Sequence, residues 1–484
     1  LMLYSMDDMF NILPTVIVVA WATALILVEA FLPKKYKFIT IWLTVLGLVV
    51  ALVAAINQHG IEAEAFNGML VVDGFSSFLN ILILGSGILA VALAVGYNKR
   101  FGFDRGEYYI MMMFSIAGTM LMSSAADLIV IFLALELMSI PLYIMAAFYR
   151  GNVNSEEAGM KYFLLGAFAG GFILYGIGFV YGATGATGLS QVVTAINGGV
   201  DSPTFLLVGA ALILIGLGFK VAAVPFHMWT PDVYEGSPTP ATAYMAVGAK
   251  VGGFAALIRI FVVAFPTLST DLVPILWGLV ALTLVVGNLV AIAQKNIKRM
   301  LAYSSISHAG FILMAFLPYG DAAVFKSSVA AALFYLLAFA ITSFGSWGVV
   351  IALEKSEGKG LLLEDYAGLG RKYPALGVAM LIFMLSFTGI PPTIGFAGKF
   401  LLFKAVMEGG YYGLAILGVL TSLFSAYYYL RLVIIMFMKS GEPNIVSDRW
   451  VTLVTASSAV ATVVLFMVST PLFAWAEQAV LKLF

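Results

Sequence analysis

Apolar runs of about 20 residues recur along the whole chain, separated by short polar turns, and most carry no charge. A helix that crosses the hydrocarbon core of a bilayer needs about 20 apolar residues, because lipid offers no partner to an unpaired backbone group. Runs near 12–32, 38–57, 75–97, 108–123, 127–149, 158–181, 204–224, 238–263, 272–294, 299–317, 324–353, 374–406, 411–438 and 450–476 predict about fourteen such spans. The expected fold is an all-α polytopic membrane protein. The first run is followed at once by a second, so it reads as a retained span and not as a cleaved signal.

Polar positions in the turns give the orientation. Lys34, Lys35 and Lys37 fall in the first loop, and Lys99, Arg100 and Arg105 in the third. Arg150 follows in the fifth, Lys295, Lys298 and Arg299 in the ninth, Lys355, Lys359, Arg371 and Lys372 in the eleventh, and Lys439 and Arg449 in the thirteenth. The intervening loops carry Glu62, Glu64, Asp73, Asp201, Asp271, Asp321 and Glu408 with almost no basic residue. Basic loops stay on the cytoplasmic side, so odd loops are expected inside and both termini outside.

Two spans look broken. The seventh reads Gly216-Leu217-Gly218-Phe219-Lys220 and then meets Pro225 before His227; the twelfth holds Gly389-Ile390-Pro391-Pro392, then Gly395 and Gly398 before Lys399. Proline removes a backbone donor, and glycine tolerates irregular backbone. Spans four to eight and nine to thirteen number five each, and the break comes fourth in both. An odd repeat length sets two halves in opposite orientations, so the pattern predicts inverted five-helix repeats with broken helices. The expected divisions are a three-helix segment over 1–104, repeats over 105–263 and 264–438, and a C-terminal helix over 439–484.

Composition narrows the chemistry. The 484 residues are 62% hydrophobic and 10% charged, far below the ~25% charge of a soluble domain. Absence of cysteine excludes disulfides, thiolate-bound zinc, iron–sulfur clusters and a thiol nucleophile in this chain. Zero net charge and no basic tract speak against nucleic acid.

Against that background, ionisable residues inside apolar stretches stand out: Glu136, Lys220, Lys250, Lys399 and, near a cytoplasmic edge, Lys161. A charge at the centre of a membrane helix costs roughly 2.5–3.5 kcal/mol or more, so such residues mark ion or proton paths by default. If Glu136 and Lys220 approach to about 4 Å at an effective dielectric near 20, their attraction is ~4 kcal/mol. Losing it would let a buried lysine release its proton, so a movable carboxylate beside a lysine is an electrostatic switch. A static ion pair joining helices is the alternative. Lys250, in Gly248-Ala249-Lys250-Val251-Gly252-Gly253, is placed to relay protons, or else snorkels. Lys399 is the candidate terminal donor. Lys161 follows Glu156 and Glu157, and snorkelling competes with function there.

Of three histidines, His227 lies two turns past Lys220 if helicity persists, and His308 follows the hydroxyl-rich Tyr303-Ser304-Ser305-Ile306-Ser307. Imidazole titrates near neutrality, so each can bridge proton hops; a structural role is equally open. No metal-ligand spacing is present. Tyr427, Tyr428 and Tyr429 read as helix contacts, Asp232 and Glu235 as helix caps or partner contacts, and Glu29 and Arg431, near span ends, as structural charges or subunit contacts.

Three strings carry a resemblance. Pro225-Phe226-His227-Met228-Trp229-Thr230-Pro231-Asp232-Val233-Tyr234-Glu235-Gly236-Ser237-Pro238-Thr239-Pro240 closely resembles the signature of the subunit N family of bacterial NADH-quinone oxidoreductase, respiratory complex I. Asn296-Ile297-Lys298-Arg299-Met300-Leu301-Ala302-Tyr303-Ser304-Ser305-Ile306-Ser307-His308 fits the same family, as does the twelfth-span string from Gly389 to Phe400. The resemblance implies a fourteen-helix antiporter-like subunit of the membrane arm that translocates protons. It matches Glu136 to the family's fifth-helix glutamate, and Lys220, Lys250 and Lys399 to its seventh-, eighth- and twelfth-helix lysines. Lysine at the last site separates the chain from the sister subunit M, and the absence of a long lateral helix separates it from L. The resemblance also implies that NADH, FMN, iron–sulfur clusters and quinone sit in other subunits. Neighbours would be subunit M, the small subunits near the quinone module, and lipid, all in the bacterial cell inner membrane. A multisubunit cation/proton antiporter is the nearest alternative. A membrane enzyme such as a lipid-linked glycosyltransferase would need catalytic acids in sizeable outer loops, and these loops are short.

Overall fold

A computed structural model describes all residues except 1–5, 322, 356–358, 447, 480 and 482–484. Twelve described helices are long and apolar enough to cross a membrane. Labelled with the remaining two spans in chain order, they begin with α1 (Leu13–Phe31), α2 (Phe38–Asn57), α3 (Gly74–Arg100), α4 (Gly106–Ser124), α5 (Leu128–Ala146) and α6 (Val153–Thr184). Next come α7 (Pro203–Val221, resuming as Trp229–Gly236), α8 (Thr239–Ala264), α9 (Ser269–Ile292), α10 (Ile297–Met314) and α11 (Phe325–Leu353). Last are α12 (Pro374–Thr388, resuming as Ile394–Glu408), α13 (Tyr412–Met438) and α14 (Arg449–Met467). The two added spans are α4, 19 residues long but rich in Ser and Thr, and the two-armed α12. Fourteen spans result, with the break fourth in each set of five, so the antiporter-like expectation holds.

Both breaks use the same local device. The first arm of α7 ends with Ala222 in the left-handed region (φ 63°), and Ala223 N–H donates back to the Gly218 carbonyl at 2.8 Å. The first arm of α12 ends with Gly389 (φ 87°), and Ile390 N–H returns to the Leu385 carbonyl at 3.0 Å. This closure satisfies orphan carbonyls where a helix stops. Proline then prevents immediate resumption. The condition placed on His227 therefore fails: helicity ends between Lys220 and His227, and no continuous helical face joins them.

The centre is the most buried part. Every residue in the most apolar window of α8 is buried, and nearly every one in those of α10 and α11, whereas α1, α6, α9, α13 and α14 expose broad apolar faces. Close helix contact at the periphery rests on paired small residues. A methyl on Gly176 of α6 would meet the Gly209 carbonyl at 2.7 Å, and one on Gly209 of α7 would meet the Gly176 carbonyl at 2.8 Å. Small residues at such crossings let backbones approach without lipid between them.

Two features depart from the span pattern. A hairpin pairs β1 (Ala63–Ala65) with β2 (Leu70–Val72) in the second loop, turned by Phe66, Asn67 and Gly68, all at positive φ. Asn-Gly between alternating residues is a hairpin signal that the search for long apolar runs passes over. The fourteenth apolar run is also divided, with Ser469–Gln478 following α14 as a separate short helix.

Candidate functional site: a row of buried lysines

Lys220 sits in the last turn of the first arm of α7, where the helix presents the negative end of its dipole to a cation. It is 1% exposed. Its Nζ donates to Ser139 Oγ at 2.7 Å and Tyr143 OH at 3.1 Å, both on α5, and lies 5.2 Å from the Tyr143 ring centre. Ser139 and Tyr143 share one helical face with Glu136, at spacings of three and seven. Glycines on α6 make room for that face. A methyl on Gly166 would collide with Tyr143 OH, and one on Gly170 would stand 3.0 Å from Glu136 Oε1.

Glu136 is half-buried between α5 and α6. It makes no ion pair with Lys220 within 4.0 Å; the lysine is bonded to hydroxyls in its place. The close pairing assumed in the electrostatic switch is thus absent from this arrangement, while the two groups remain within electrostatic range.

Lys250, also 1% exposed, lies where a π-helical stretch of α8, Met245–Ala249, returns to α-helix. Single π turns recur at functional sites because they leave backbone groups out of register. Its Nζ donates to the Ser305 carbonyl of α10. One turn further along α8, a methyl on Gly253 would touch Lys220 Cβ at 3.4 Å, so α8 places Lys250 beside the α7 break.

His308 stands between Lys250 and Lys399, within electrostatic range of both. Its ring nitrogens meet Tyr335 OH at 2.6 Å and Tyr429 OH at 3.0 Å. Tyr429 OH also bonds Ser304 Oγ. Around this core Asn288 donates to Ser307 Oγ at 2.7 Å and accepts from Tyr428 OH at 3.1 Å. Lys399, 4% exposed, donates to the Thr388 carbonyl at 3.0 Å, the last of the first arm of α12, and to Ser422 Oγ at 3.2 Å. Its Nζ is 4.4 Å from the Phe311 ring centre.

Lys161 and His227 occupy other surroundings. Lys161 is partly exposed and pairs with Glu157 and Asp232, each at 2.7 Å. Asp232 and Glu235 both bind Arg299 at 2.8 Å, so the second arm of α7 carries a charged network on its outer face. His227 is half-buried in the α7 break, with Nδ1 lacking a hydrogen-bond partner among the described residues.

The tyrosines add what the sequence did not signal: Tyr143 and Tyr335 stand out by no local pattern, and Tyr429, expected as a helix contact, bonds His308 and Ser304. Tyr143, Tyr335 and Tyr429 join the lysine and histidine groups, and only the hydroxyl-rich tract before His308 signalled such a network. No group of three His, Asp or Glu able to hold a metal occurs among the described residues.

Residues 125–425 match the family described as NADH:quinone oxidoreductase/Mrp antiporter, transmembrane. NADH-quinone oxidoreductase subunit N of Chloroflexus aggregans is 44% identical over 482 residues, 98% of each chain. A chain of respiratory complex I from Thermus thermophilus superposes with TM-score 0.81 at 36% identity, covering 96% of this chain and 99% of that one. A chain of the Mrp complex from Dietzia gives TM-score 0.85 at 20% identity, over 97% and 96% of the two chains, a likeness of fold alone. The broken helices, the buried lysines and near-complete coverage at this identity lead to one assignment: the chain belongs to the subunit N family of NADH-quinone oxidoreductases.

Proposed function

We propose that this chain translocates protons across the bacterial inner membrane as an antiporter-like membrane-arm subunit of NADH-quinone oxidoreductase. Glu136, Lys220, Lys250, His308 and Lys399 form its relay. Quinone reduction in other subunits, which hold NADH, FMN, the clusters and quinone, drives the cycle. Subunit M and the small subunits near the quinone module are its neighbours, the five-helix repeats span 105–263 and 264–438, and both termini face the periplasm.

One observation carries this reading. Among the described residues, the hydrogen bonds of the Lys220, Lys250 and Lys399 ammonium groups go to neutral oxygens. A charge held that way is stabilised far less than one paired with a carboxylate, so its proton is free to move when a neighbouring charge moves. When Glu136 is charged and close, Lys220 keeps its proton; when the carboxylate withdraws, the proton passes toward Lys250. His308, with a tyrosine on each ring nitrogen, hands it on to Lys399. In this scheme Lys161 serves the charged outer face of the second α7 arm, and His227 the break where that arm begins. The 44% identity to subunit N over nearly the whole chain favours this over an Mrp-type antiporter.

Lys399→Met tests the terminal step in the assembled complex, reconstituted into vesicles. Protons moved per electron should fall by this subunit's share. An unchanged ratio at an unchanged redox rate would remove Lys399 from the path.

A further inference from the structure

The second arm of α7 has two faces. The outer one bears Asp232 and Glu235; the inner one bears Thr230 and Tyr234, four apart and so on one side of the helix, and Ser237 follows as the extended residue that caps its end. All three are at most 1% exposed. Their hydroxyls have no hydrogen-bond partner among the described residues. Buried polar groups are nearly always satisfied, by protein or by ordered water. Three unsatisfied hydroxyls on this arm and its cap therefore mark a hydrated seam.

The seam has two ends. Toward the membrane interior the arm packs on α10, where Tyr234 OH lies near Ser305 Oγ, itself buried and without a hydrogen-bond partner among the described residues. The Ser305 carbonyl is the group that Lys250 binds. Toward the basic loops, the Ser237 carbonyl accepts from the buried Lys298 Nζ at 2.7 Å. Two residues on, Thr239 Oγ1 donates to Glu354 Oε2 at 2.5 Å. Glu354 closes α11, is 5% exposed, and accepts a second bond from Tyr97 OH at 3.0 Å. A carboxylate buried beside hydroxyls, at the basic-loop end of a helix, can take up a proton and pass it inward.

We propose that the inner face of the second α7 arm, with its cap, is the uptake path by which protons reach Lys250 from the basic side, running from Glu354 past Ser237 and Tyr234 to Ser305. Thr230 lies one turn deeper and extends the hydrated seam toward the α7 break. At each hydroxyl one proton arrives on the oxygen as another leaves from it, so no side chain is changed after a passage. Bridging water supplies the hops between hydroxyls too far apart to bond directly. Glu354 alone changes charge, binding the incoming proton and then releasing it. The path rests on the relay reading above, because it ends at Lys250, whose proton moves on toward His308 only as the charge on the neighbouring Lys220 changes, so Lys220 stays essential.

The assembled complex in vesicles provides the test, with Tyr234→Phe and Glu354→Gln compared with Lys250→Met. Tyr234→Phe keeps the ring and removes one hydroxyl. Proton transfer through this subunit should fall about tenfold or more, the effect of one lost hydrogen bond at the barrier, with the complex assembled normally. Glu354→Gln should fall similarly. If Lys250→Met blocks transfer while Tyr234→Phe and Glu354→Gln pump normally, the uptake path is wrong and the relay stands. If none of the three changes pumping, the relay fails and this path with it. Should the variants misassemble, a high-resolution map of the unmodified complex decides: ordered water bonded to Tyr234 OH and Ser237 Oγ supports the path, and a dry face overturns it.

Discussion

Replacing Lys220 by methionine is expected to stop proton transfer through this chain while leaving the subunit folded. Methionine keeps the length and flexibility of the lysine stem and fills irregular space readily. The ammonium lost was bonded to neutral hydroxyls, and the charge that loses a neighbour, Glu136, is only half-buried. Ser139 keeps its bond to the Leu135 carbonyl at 2.5 Å, and Tyr143 loses one partner. An unsatisfied buried hydroxyl costs about 1–3 kcal/mol, and removal of a buried cation offsets part of that. The functional loss should be far larger, because a positioned proton-transfer group contributes about 10²–10⁴-fold. The measurement is vesicle acidification against quinone reduction in the same preparation. Ser139→Ala should produce a smaller loss, since Tyr143 still holds the ammonium. Full pumping by Lys220→Met would show that protons bypass the α7 break.

The second large effect is structural. Arg259, 1% exposed, forks onto Asp73 with bonds of 2.7 and 2.8 Å and also donates to the Ser123 carbonyl. This ties the π-helical end of α8, Ile258–Ala264, to the start of α3 and the end of α4. Removing one partner of a buried pair costs up to about 3–5 kcal/mol, reduced by whatever interactions Asp73 keeps, its bond from Ser76 N–H among them. Arg259→Ala should therefore lower thermal stability strongly, by more than any of the relay substitutions. Asp73 also caps α3, accepting from Ser76 N–H at 2.8 Å, so a fair double variant keeps the cap. Asp73→Ser with Arg259→Met does so, and should recover most of the loss. The comparison is the unfolding temperature of the purified complex for both variants. A loss under about 1 kcal/mol in Arg259→Ala would mean that the pair is compensated elsewhere.

The sequence disclosed much of this because membrane chemistry punishes exceptions. Length of apolar run gives the spans, basic loops suggest their direction, and Gly389, Pro391, Pro392 and Pro225 announce the breaks. A lysine in hydrocarbon surroundings is conspicuous by itself, so Lys220, Lys250 and Lys399 could be picked out singly. What stayed hidden is pairing across the fold. Arg259 meets a residue 186 positions away, and Asp73 looks like an ordinary loop acid until its partner is seen. Tyr429 sits among three tyrosines on a mostly apolar helix, and nothing local separates the hydroxyl that bonds His308 from those that only pack. Glu354 lies where a span meets a basic loop, a place where an acid draws no notice. Hydropathy reports how deep a residue lies along its own helix and is silent on which helix faces it.

The central claim is that Glu136, Lys220, Lys250, His308 and Lys399 belong to one connected path. The most direct measurement is a map of the assembled complex at a resolution that places water. The account expects ordered water or hydroxyl oxygens joining Lys220 to Lys250, and His308 to Lys399, with no step wider than one bridging molecule. Dry apolar packing between any two of these groups would contradict it.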